Sequence, residues 1–326
     1  MKDVYRQSLL PFLRRSGRVP ANQAGLERRK FLKLAGAAGV GVAAISLAGI
    51  GMAGSAADAA STSALDPPDP SAADSVVQIF TAALIAEDLA TTFYYNGLTG
   101  MVIQDSNLAG PGGSATSIAS SGNLANVGYL RGALSEEISH ANLFRSLLSI
   151  PGAASDPVQS FYFPTGTFDT LEDFLPILLA LETAFVGAYL AAIHEFAMMA
   201  ARISPYASEQ LNPSGTPYAS QQLAYFAEAA SSILGVEAEH RALARAIPAI
   251  SPGVTTFAGI NVFPADNVCF EQTDGIQTVY NGSNSAVAAL TPFLQNGSGK
   301  TAYSFAAALK GSSVVSVPCS GGLPSA

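Results

Sequence analysis

Charged residues are scarce in this chain of 326 residues, 12% of positions against 49% hydrophobic. A Glu or His inside an apolar stretch therefore stands out. Cysteine is scarcer still: Cys269 and Cys319 are the only two. They form no Cys-x-x-Cys and have no neighbouring His, which argues against thiolate metal ligands and for one disulfide in an oxidising compartment. Basic residues are few outside the N-terminus. Nine of the 16 Lys and Arg, but two of the 24 Asp and Glu, fall in residues 1–57, leaving seven basic against 22 acidic residues in 58–326. So acidic a body argues against nucleic acid as a partner and tolerates metal cations. A phosphate loop is also missing. Gly297-Ser298-Gly299-Lys300-Thr301 has Leu294 where the pattern needs glycine, and no buried strand precedes it.

Long apolar runs without Glu or His are limited to one, Leu34 to about Gly54. It follows Glu27-Arg28-Arg29-Lys30-Phe31-Leu32-Lys33, which resembles a twin-arginine export signal with Glu27 where Ser or Thr is usual. Small residues from Ala53 to Ala59 offer cleavage after Ala57 or Ala59. Residues 1–57 are thus read as a targeting segment carried by Arg28 and Arg29, and excluded from the fold. The expectation is an exported protein, periplasmic or extracellular, with the twin-arginine machinery as partner. An uncut leader would leave it membrane-anchored. That route, as usually understood, moves folded proteins, which suits a metal site loaded before export.

What the chain does have is one pattern used twice. A lone Glu87 precedes Glu137-x-x-His140, and a lone Glu182 precedes Glu237-x-x-His240. Each lies in an apolar, helix-forming stretch, and positions i and i+3 share a helix face, so each pair aims a carboxylate and an imidazole one way. The intervals, 50 residues from Glu87 to Glu137 and 55 from Glu182 to Glu237, indicate two helix pairs on one plan. Four carboxylates in an apolar core are costly unless compensated, and two divalent cations would neutralise them. Glu136 and Glu239 adjoin the motifs, but only the i,i+3 spacing recurs in both halves. They are expected at the surface or behind the ligands. His194 falls about 120° off the Glu182 face and is set aside.

This set, in this order on four helical stretches, resembles the ferritin-like superfamily, and within it the exported ferritin-like-domain proteins grouped with desiccation-related proteins. The resemblance spans about residues 74–250. It implies an all-α fold, a ferritin-like four-helix bundle holding two metals. It further implies that Glu87 and Glu182 are terminal ligands, that Glu137 and Glu237 bridge, and that His140 and His240 bind one metal each. The donors suit iron or manganese and would also accept zinc. Tyr94 and Tyr189, each seven residues after a lone Glu, are expected as core aromatics or as phenols near the metals. Two functions are implied: an oxidoreductase acting on a small oxidant, dioxygen or peroxide (ferroxidase, oxidase or manganese-catalase type), or a stress-protective or envelope-structural protein without turnover. A homo-oligomer is left open, and a closed storage cage is disfavoured by the long loops and tail.

The expected order is a linker over 58–73, then helices over about 74–97, 124–149, 170–202 and 219–247. Residues 251–326 follow as a mostly irregular extension with short helices at 285–295 and 301–310. The stops are Asn96-Gly97, Pro151-Gly152, Ser204-Pro205 and Pro248. Thr170 with Asp173 opens the third helix as a modified capping box.

Overall fold

The structure, a computed structural model, describes residues 73–104, 127–250, 256–257, 260–261, 270–317, 319 and 322–323. The export segment with Arg28 and Arg29, nearly all of the linker, and Cys269 lie outside the described residues.

Four long helices form the body: α1 Val76–Thr99, α2 Val127–Leu147, α3 Leu171–Ala200 and α4 Ser220–Ile250. α1 starts at a capping box that the sequence reading did not identify. The Gln78 N–H donates to Ser75 Oγ at 3.2 Å, and Gln78 Oε1 accepts from the Ser75 N–H at 2.8 Å. α1 also runs past Asn96-Gly97 to a cap at Gly100. A Cβ at Gly97 would stand 2.6 Å from the Phe174 ring, so this glycine admits a close helix approach rather than ending the helix. At α3, Thr170 Oγ1 accepts the Asp173 N–H and donates to Asp173 Oδ2 at 2.7 Å. α4 continues through Pro248 to Ile250 instead of stopping before it. Proline removes only its own N–H from the ladder, and the helix absorbs that loss within its last turn.

Side-chain pairs fix the helix directions. Phe80 meets Phe144 while Glu87 meets His140, so α1 and α2 are antiparallel. Phe196 meets Phe226 while Glu182 meets His240, so α3 and α4 are too. Tyr94 reaches Glu182 and Tyr189 reaches Glu87, which makes α1 and α3 antiparallel. α2 and α3 therefore run the same way, and residues 148–170 must return along the length of the bundle. One long crossover of this kind belongs to ferritin-like bundles.

The crossover contains strand β1, Ser160–Pro164, which pairs antiparallel with a strand of the tail, Lys300–Ser304, with Phe163 opposite Thr301. Between them in sequence come a two-residue hairpin, β2 Thr256–Phe257 and β3 Ile260–Asn261, and helix α5, Ala286–Leu294. The tail strand is β4, and α6, Phe305–Val315, follows it. The helix expected at 301–310 is thus corrected. Its first residues are strand because β1 offers them a partner, and the helix begins at Phe305, capped by Ser304. Cys319 is exposed, its Sγ 3.1 Å from Ser139 Oγ, and no disulfide is present among the described residues, which do not include its expected partner Cys269.

Two aromatic clusters close the core. Phe93 stacks on Phe174 at 4.9 Å and is flanked by Phe163 and Phe168 at one end. Phe80 meets Phe144, Phe196 and Phe226 at the other. α1 and α3 are long and apolar enough to cross a membrane by length and composition, but both are core helices here, most of their surface buried against neighbours.

Candidate metal centre

The six residues of the repeated pattern meet between the two aromatic clusters. Glu87, Glu137, Glu182, Glu237 and His240 are buried, and the His140 side chain is 13% exposed. They form two groups, Glu87–Glu137–His140–Glu237 and Glu137–Glu182–Glu237–His240, each with ligand atoms within 4.8 Å of one another. Glu137 and Glu237 belong to both.

Their orientation is specific. Glu137 turns Oε2 to His140 Nδ1 (3.8 Å) and Oε1 to His240 Nδ1 (3.0 Å). Glu237 turns Oε1 to His140 Nδ1 and Oε2 to His240 Nδ1, both at 3.4 Å. Glu87 Oε2 lies 3.3 Å from His140 Nδ1, and Glu182 Oε2 lies 3.8 Å from His240 Nδ1. Despite these distances none of the pairs is aligned as a hydrogen bond. Eight inward atoms, both oxygens of Glu137 and Glu237, one oxygen each of Glu87 and Glu182, and the two Nδ1, are buried without a hydrogen-bond partner among the described residues. Native cores do not leave such groups unpartnered without cause. Two cations fit this set. Each would take two oxygens from the shared glutamates, one from a lone Glu and one imidazole nitrogen, and a total of +4 would meet four carboxylates.

Three outward atoms are satisfied. The Tyr94 hydroxyl donates to Glu182 Oε1 at 2.6 Å, and the Tyr189 hydroxyl donates to Glu87 Oε1. Each phenol thus holds the lone Glu of the opposite half, a crossed arrangement the seven-residue spacing does not disclose. Burial first, then the surrounding carboxylate charge, pushes both phenols well above their ordinary range, so they remain donors. Glu136 Oε2 meets His240 Nε2 at 2.8 Å and orients that ring from behind. Glu239 and His194 are exposed.

Protons compete with cations for the inward atoms. Burial pushes Glu87 and Glu182 well above the usual carboxylate range. Burial also opposes ionisation of Glu137, but the His140 and His240 imidazoles close beside it outweigh burial and hold its carboxyl low. Both imidazoles are depressed by burial and raised further by the carboxylates around them, so their net displacement is upward.

Residues 75–207 match the family described as a ferritin-like domain. This supports the ferritin-like superfamily and, with the helical architecture, an all-α ferritin-like bundle. The matched stretch takes in α1, α2 and α3, while the Glu237–His240 pair on α4 joins them through the tertiary structure. The carboxylate and histidine groups allow divalent metal binding. No curated protein and no solved structure matches the chain.

Two buried polar groupings escaped the sequence reading. Arg145 holds Asp88 Oδ1 at 2.6 Å and Asp156 Oδ2 at 2.7 Å, joining α2 to α1 and to the crossover. Asp74 and Glu195 secure the tail. Asp74 accepts from the N–H groups of Tyr280 (2.6 Å) and Asn281 (2.8 Å), and Glu195 accepts from the Val279 N–H (3.0 Å) and the Tyr206 hydroxyl. None of these residues recurs at a fixed spacing, so no pattern betrays them.

Proposed function

We propose that the protein is an exported dimetal-carboxylate oxidoreductase that binds two iron or manganese ions and acts on a small oxidant, dioxygen or peroxide. The observation that supports this reading is the pair of central glutamates, each presenting one unpartnered oxygen to each half of the site. Glu87 and Glu182 would be the terminal carboxylates that hold the ions, Glu137 and Glu237 would be shared between them, and His140 and His240 would be the nitrogen ligands. The ions would supply the redox equivalents and the open positions where an oxidant binds. The chain supplies the rest. Tyr94 and Tyr189 fix the terminal carboxylates, Glu136 fixes the His240 ring, and the aromatic clusters keep bulk water from the core. Export through the twin-arginine route is part of the proposal and rests on Arg28 and Arg29.

The test is metal analysis of the purified protein, followed by stopped-flow consumption of dioxygen and peroxide with ferrous iron as reductant, for wild type and Glu137→Ala. Two equivalents of metal and faster turnover by wild type are expected. Two equivalents with no difference from the variant would make the metals structural and favour a stress-protective role. No bound metal would overturn the reading.

A further inference from the structure

A cavity of about 40 Å³ lies beside the centre. Each of the four long helices contributes a wall residue within four positions of one of its own site residues: Ala83 before Glu87, Phe144 after His140, Phe185 after Glu182 and Ile233 before Glu237. The cavity therefore begins one turn from the centre along all four helices. Tail residues, Val279 among them, close part of its wall. Its room comes from small residues on the helices, Ala192 and Ala230 included, where leucines would have filled the core.

Size and chemistry restrict the occupant. The volume exceeds the roughly 10–15 Å³ that admits one water and falls short of the roughly 150 Å³ of a cavity that takes benzene. Among the described residues the wall is apolar except for Tyr189, whose hydroxyl already donates to Glu87. Water needs two to four polar partners to stay in such a place. Peroxide carries two O–H donors and would leave them unmade. Dioxygen has the right size and loses no hydrogen bonds on entry.

We propose that this cavity is a dioxygen-binding site that feeds the centre, so that the oxidant is dioxygen rather than peroxide. The inference rests on the dimetal reading for what the gas reaches, but not for the gas site itself.

The experiment uses xenon as the probe, in pressurised crystals of the metal-loaded and the metal-stripped protein. A xenon peak between Ala83, Phe185 and Ile233 is expected in both. Ala230→Val and, separately, Ala192→Val should remove the peak. In the variant that keeps its two metals, the KM for dioxygen should rise about tenfold. Ordered water or an extended chain of density in the wild-type cavity overturns the proposal. So does an unchanged KM in a variant that has lost xenon, or faster consumption of peroxide than of dioxygen by wild type. Xenon bound by a protein that takes up no metal overturns the dimetal reading and leaves the gas site standing. Two metals without xenon overturns the gas site alone.

Discussion

Glu195 provides a test of the fold that is independent of the metal ligands. It lies on α3, fully buried, and accepts hydrogen bonds from Tyr206 and from the Val279 N–H, with the buried Asp74 close by. Burial first, then the charge of Asp74, pushes its carboxyl from an ordinary 4.5 up to about 8. In the unfolded chain Glu195 loses its proton near its ordinary value, whereas the folded protein keeps that proton up to about pH 8. Between these limits the folded state binds more protons, so stability falls as pH rises. The stabilisation is fully present below the unfolded value and gone above the folded one. From pH 5 to pH 8 the loss is about 3 kcal/mol, or a fall in Tm of about 6–12 °C for a domain of this size. Glu195→Gln removes the titration and should remove that part of the slope. Calorimetry of metal-loaded wild type and variant, paired at each pH, isolates the effect, because the ligands titrate alike in both. Parallel loss of stability in the two proteins would refute the argument.

Three further outcomes are expected. Glu137→Ala and Glu237→Ala should each lower metal content, since either removes an atom from both metal groups. Full occupancy in the double variant, by elemental analysis, would contradict the bridging role. Arg145→Met should destabilise by about 3–5 kcal/mol, because it leaves Asp88 and Asp156 buried without their cation. Chemical denaturation measures this, and a loss under 1 kcal/mol would show the triad to be dispensable. Replacing Arg28 and Arg29 with Lys should leave the protein in the cytoplasm with its leader uncut, and fractionation showing unchanged export would remove the twin-arginine reading.

The sequence by itself determined the four helices and the residues that meet in the core. An i,i+3 pair in an apolar stretch has only one face to occupy, and burying four carboxylates on separate helices leaves convergence as the affordable arrangement. It could also narrow Glu136 and Glu137 to one inward residue, because only one spacing recurs in both halves. What it could not determine are relations between distant segments. The crossed bonds from Tyr94 to Glu182 and from Tyr189 to Glu87 depend on α1 and α3 being antiparallel. The strand at Lys300–Ser304, which looks helical alone, depends on the partner offered by the crossover. Cys319 is placed beside Ser139 by the path of the tail, and spacing carries no information about that path. Asp74 and Glu195 are ordinary acidic residues until the tail folds over them and takes away their water. The cavity is the same kind of fact. Alanines on separate helices have no meaning singly, and they become a room only when four helices pack around them at fixed distances.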